Sequence, residues 1–179
     1  MKKIKNAVFI FAAISALFSF SVLMPVWNVD SAYSIKFDGS QASGTFSGLS
    51  GLIQYDPADL KGAKFDVLVD VSTIDTGNKT KNTHAKGEGW FDLENHPQIR
   101  FTSTSFTKVK DQMVVKGILE IRGIKKEVEI PYTYDQNGNK AVFKGVFLVD
   151  RNDYGIDGGM MGFMVGDDIT INLQIPVSK

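Results

Sequence analysis

Residues 65–106 read FDVLVDVSTIDTGNKTKNTHAKGEGWFDLENHPQIRFTSTSF. Phe65, Val67, Val69 and Val71 alternate with Asp66 and Asp70, the period-two pattern of a half-buried strand. Ile99 and Phe101 alternate with Arg100 and Thr102 in the same way. Roughly 25 residues separate the two strands, holding both histidines, several lysines and the pair Trp90–Phe91. A connection of that length inside one compact domain is unusual and tends to be functional. The stretch therefore predicts two strands joined by a lid.

The same alternation continues on both sides. Upstream, Tyr33, Ile35 and Phe37 alternate with Ser34 and Lys36, and Asp38-Gly39-Ser40 is turn chemistry. Residues 44–55, GTFSGLSGLIQY, form a glycine-dotted strand in which Phe46 has the opposite parity to Leu49, Ile53 and Tyr55. A bulge near Ser47–Gly48 would return Phe46 to the shared face, as a strongly curved wall needs. Downstream come Val115, Gly117, Leu119 and Ile121; then Val128, Ile130, Tyr132 and Tyr134; then Phe143, Gly145, Phe147 and Val149. Asn137-Gly138 is a hairpin signal between the last two sets. Ile169, Ile171, Leu173, Ile175 and Val177 complete the series.

Eight short strands, short turns and no long amphipathic helix predict an all-β fold. Closing the sheet into an eight-stranded antiparallel barrel abolishes its edges, with the lid between strands three and four. Such a barrel is wide enough for one small ligand. The inward set is almost free of charge: Phe65, Val67, Val69, Phe101, Leu119, Tyr132, Phe143, Phe147, Ile171 and Leu173. These residues either line a tunnel for a lipid-like guest or simply fill the barrel.

The chain has 179 residues, 43% hydrophobic composition and zero formal net charge. That suits one domain with a real core and excludes a global basic field for nucleic acid. With no cysteine there is no disulfide framework, thiol nucleophile or Cys-ligated metal. Residues 1–24 join a basic start, MKKIK, to an apolar run, AVFIFAAISALFSFSVLM. They predict a signal peptide or N-terminal membrane anchor, with a domain over 25–179 that is periplasmic or secreted.

Several blocks together resemble the YceI-like family: DVSTIDTG at 70–77, His84, WFD at 90–92, PQIRFTST at 97–104, GILEIRGIKKEV at 117–128 and DRNDYGI at 150–156. The last matches the family's R-x-D-F/Y-G-I/L signature. Near the first strand, YSIKF at 33–37 stands in place of a histidine-bearing motif common in the family. The resemblance implies a lipocalin-like antiparallel barrel, exported in bacteria, with an apolar tunnel for polyisoprenoids, quinone-type isoprenoids or fatty-acid derivatives. It also implies homodimers in several members and no cofactor beyond the bound lipid.

Other residues leave alternatives open. His84 and Lys86, with Lys79 and Lys81, either meet a ligand head group such as a diphosphate or bond within the lid and face water. Trp90 and Phe91 seal the barrel end, touch ligand, or both. Met160, Met161, Phe163 and Met164, in the glycine-rich run 158–166, read as an adaptable lip over ligand or a second protomer, or as a loop tucked into the core. Arg151 and Asp153 suggest an ion pair or hydrogen-bonded corner. The two histidines, twelve residues apart in an irregular loop, have no third ligand in a metal-site spacing. No G-x-S-x-G elbow, phosphate-binding glycine loop or H-E-x-x-H is present. The expectation is a non-catalytic lipid binder that transports or stores its guest. The alternative is a filled barrel acting in structural or stress-related interactions through its dimer surface or loops.

Overall fold

The structure, a computed structural model, describes residues 24–179 apart from the side chains of Met160 and Met161. The leader or anchor expected over 1–24 lies outside the described residues, Met24 aside. Ten strand segments run β1 (Val26–Val29), β2 (Ser34–Gly39), β3 (Ala42–Phe46), β4 (Leu49–Gln54), β5 (Lys64–Asp70), β6 (Gln98–Val109), β7 (Gln112–Ile121), β8 (Ile124–Asn137), β9 (Lys140–Asp150) and β10 (Asp168–Ser178). One α-helix, α1 (Lys79–Ala85), lies in the lid.

Ten segments make eight staves. β10 pairs along one side with β9, and on the other first with β2 and then with β1. β3 pairs with β2, and β4 with β1. β1 and β2 thus share one interrupted stave, and β3 and β4 the next. β5 to β9 follow as consecutive antiparallel neighbours, and the β1–β10 pairing closes the ring. This is the closed eight-stranded barrel that the alternation predicts. β1 was not visible in the pattern; at four residues it is too short to alternate convincingly.

The break between β3 and β4 falls at Ser47–Gly48, where the change of parity calls for a bulge. Thr73 Oγ1 accepts from the amides of Ser47 (3.2 Å) and Gly48 (3.1 Å). The Tyr33 hydroxyl donates to the Ser47 carbonyl and accepts from the Leu49 amide. These bonds satisfy a backbone that has left the ladder, and Phe46 and Ile53 are both buried inside.

Steric fit decides details of the wall. At Gly117 a Cβ would stand 2.5 Å from the Phe101 ring, so only glycine lets that ring lie across the strand facing it. β8 and β9 pair only from Tyr132 to Asn137; above Pro131 the two strands diverge. The gap is bridged by the Lys126–Asp153 ion pair at 2.9 Å and by Arg122 donating to the Gly155 carbonyl, while Tyr154 is buried against it.

The lid is not the irregular loop expected. Asn78 caps α1, its side chain accepting from the amides of Thr80 (2.9 Å) and Lys81 (3.1 Å). Before the helix, Asp75 exchanges both backbone bonds with Thr45 of β3. That bridge lays the lid along the upper wall. Asp75 also accepts from the Asn82 side chain and the Gly77 amide, which hold its carboxyl below the usual carboxylate range.

Candidate functional site

The barrel interior is open. A cavity of about 780 Å³ runs between its two ends, within the 300–1,000 Å³ typical of small-molecule sites. All ten residues of the inward set line it: Phe65, Val67, Val69, Phe101, Leu119, Tyr132, Phe143, Phe147, Ile171 and Leu173. Ile35, Phe46, Ile53, Val115 and Ile130 join them from the same strand faces. These could have been found by carrying the parity of each strand through its full length.

One end is floored by aromatic rings. Tyr55 packs against Tyr134 at 4.8 Å between ring centroids and against Phe143 at 5.1 Å. Phe65 meets Phe106 at 4.9 Å and Phe143 at 5.3 Å, both edge to face. Trp27 lies beneath, donating from its indole N–H to the Tyr55 carbonyl at 2.9 Å. The Tyr55 and Tyr132 hydroxyls bond to each other at 3.0 Å. Burial pushes both phenols up, and carries Tyr134 to about 12.

The other end carries the lid and the 151–167 segment. Lys81, His84 and Ala85 line the cavity at i, i+3 and i+4 along α1. Trp90 and Phe91 line it as well, Phe91 stacking edge to face on Phe46 at 5.6 Å. Gly158 donates its amide to the Gly89 carbonyl at 2.7 Å, joining lid to lip. Its φ of +73° suits glycine, and a Cβ there would stand 2.8 Å from the Trp90 ring.

Two expectations at this end need correction. Lys86 ends the helix and is not among the lining residues; the helical turn gives that place to Lys81. Phe163 is 87% exposed, as a lip residue would be and a side chain tucked into the core would not, while Met164 lines the cavity. Met160 and Met161 have no described side chains. Arg151 pairs not with Asp153 but with Asp167, at 2.9 Å, because Asp153 is held by Lys126.

Arg151 is a buried hub. It donates to the carbonyls of Ile156 (2.6 Å), Gly162 (3.0 Å), Val165 (3.1 Å) and Gly166 (3.1 Å) and to Asp167 Oδ1. One guanidinium thereby satisfies the backbone of a segment that has no ladder of its own. His96 lies outside the cavity, 3.8 Å from Asp92. Among the described residues no group of three or more His, Asp or Glu side chains is gathered as a metal site.

The family model for the YceI-like domain matches residues 27–177, the whole barrel from Trp27 of β1 to Val177 of β10. This chain belongs to the YceI-like family. A UPF0312 protein of Vibrio cholerae serotype O1 is 28% identical over 187 residues, covering 97% of this chain and 98% of that protein. Other curated relatives align over less: the chain spans 44% of the length of a UPF0312 protein of Photorhabdus laumondii. Among solved structures, Burkholderia cenocepacia BcnA has a TM-score of 0.77 at 26% identity, covering 83% of this chain and 99% of that one. A polyisoprenoid binding domain from Saccharophagus degradans has a TM-score of 0.69 at 13% identity, covering 87% of this chain and 99% of that one. These two matches bear out the YceI-like barrel fold.

Proposed function

We propose that this YceI-like chain binds one long-chain lipid of isoprenoid, quinone-type or acyl class in its tunnel and carries or stores it unchanged. The observation that carries this reading is the open cavity itself, lined from every stave by apolar side chains. A filled barrel would have no such volume, which weighs against the structural alternative. The Saccharophagus domain, described as polyisoprenoid binding, supports the same ligand class by analogy of fold. The leader-like residues 1–24 support a site of action beyond the cytoplasmic membrane.

Binding would proceed by sequestration. Each methylene moved from water to the tunnel contributes at most about 0.8 kcal/mol. Lys81 and His84 stand where a polar head group would emerge. Binding of a series of isoprenoid alcohols of increasing length tests the reading by isothermal titration. Affinity should climb with each isoprene unit and level off once the tunnel is full. Equal affinity from the shortest to the longest chain would sink the proposal.

A further inference from the structure

The floor of the tunnel holds an unbalanced hydrogen-bond account. Tyr55 and Tyr132 carry two hydroxyl hydrogens between them and share one bond, at 3.0 Å. Among the described residues neither oxygen has a second partner. Two other phenols are better placed: Tyr134 donates to Gln136 Oε1 at 2.7 Å, and Tyr33 both donates and accepts. One hydrogen of the floor pair is therefore left over.

Burial says which one. Tyr55 is fully buried and takes no part in lining the cavity, whereas Tyr132 lines it. When Tyr55 donates to Tyr132, the Tyr132 oxygen is satisfied as an acceptor and its own hydrogen is free on the cavity side. Aromatic rings surround the pair, with Phe65, Phe106, Tyr134 and Phe143 all within 6.3 Å of one or the other, and the Tyr134 hydroxyl is turned to Gln136. Burial raises both phenols, so both keep their protons at neutral pH.

We propose that the Tyr132 hydroxyl, braced by Tyr55, selects ligands whose floor-facing end carries an acceptor oxygen, such as a carbonyl or ether. Water can take the spare hydrogen while the tunnel is empty. A hydrocarbon end that fills the floor expels that water and strands the donor, and a buried unpaired donor is costly. An oxygenated end takes the hydrogen instead. The lining sets how much chain is bound; the phenol pair sets what is preferred at the end of the guest opposite a mouth-facing head group. This inference rests on the lipid-binding reading and names a chemical group within it.

The test compares two probes, an isoprenoid methyl ketone and the hydrocarbon of the same carbon count. The full chain should bind the ketone about tenfold more tightly, as one neutral hydrogen bond allows. In Tyr132→Phe the ratio should fall to near one. A ratio near one in the unaltered chain, with both probes bound, overturns the inference and leaves the lipid reading standing. Failure of both probes to bind overturns the lipid reading and the inference with it. The infrared carbonyl band of the bound ketone gives a readout that needs no variant. It should lie below its frequency in hexane, and an unshifted band overturns the proposal.

Discussion

The two ends of this barrel are built on different principles. The floor is a block of rings drawn from six staves: Trp27, Tyr55, Phe65, Phe106, Tyr132, Tyr134 and Phe143. Its polar atoms are few, and those of Tyr55 and Tyr132 are buried. The mouth is held by backbone hydrogen bonds to single side chains: Asn78 and Asn82 in the lid, Arg151 under the lip. Its most prominent aromatic, Phe163, faces water. Ring packing closes the floor, and side-chain bonds to irregular backbone close the mouth.

Trp27→Ala should break the floor and give the largest effect. The ring is 2% exposed, packs edge to face on Tyr134 at 6.0 Å and donates to the Tyr55 carbonyl. Lys179 Nζ also lies 4.3 Å from its centroid. Truncating a buried aromatic of this size costs about 3–5 kcal/mol. Urea unfolding should show a loss of stability of that order, read as a lower midpoint at unchanged slope. A loss below about 1 kcal/mol would mean that the rings above can close the barrel unaided.

The contrast between the ends also explains what could be read from the chain. The wall and lining follow from period-two alternation, a local property, so all ten inward residues from Phe65 to Leu173 fall on the cavity. The Ser47–Gly48 bulge was legible because a change of parity can be seen locally too. β1 was not, because its short Val26–Val29 segment gains its place from Ser178 and Val177, some 150 residues away. At the mouth the decisive interactions have no period. Asp167 lies 16 residues beyond Arg151, and nothing in that spacing prefers it over Asp153 two residues on. The helix carried one local mark, Asn78 as a cap, because Thr80, Asn82, Thr83 and His84 are weak helix formers; once formed, its turn brings Lys81 and His84, rather than Lys86, to the cavity.

Arg151→Met should sharpen the comparison with an intermediate effect. The substitution keeps bulk but removes the donors to four carbonyls. Asp167 is 61% exposed, so its freed carboxylate turns to water and the full penalty of a buried unpaired charge does not arise. A loss of about 2–3 kcal/mol follows from the unpaired buried carbonyls. Hydrogen exchange should quicken in residues 156–166 and stay slow in β8 and β9 below Tyr132. Equal quickening at both ends would show that Arg151 supports the whole barrel rather than its lip.

Phe163→Ser should have the smallest effect on folding, within about 0.5 kcal/mol, because a surface substitution removes almost no buried area. Set beside Trp27→Ala, it asks the same question of an aromatic at each end. The ring sits in the 3₁₀ turn Gly159–Met164 next to Met164, which is both partly exposed and part of the cavity lining. An exposed ring so close to the opening is poised to meet an apolar guest before the tunnel does. The expected signature is a slower association rate for a long-chain isoprenoid alcohol in stopped-flow fluorescence, with the unfolding midpoint unmoved. A shifted midpoint would instead place Phe163 in the packing, and the mouth would then be built more like the floor than the structure indicates.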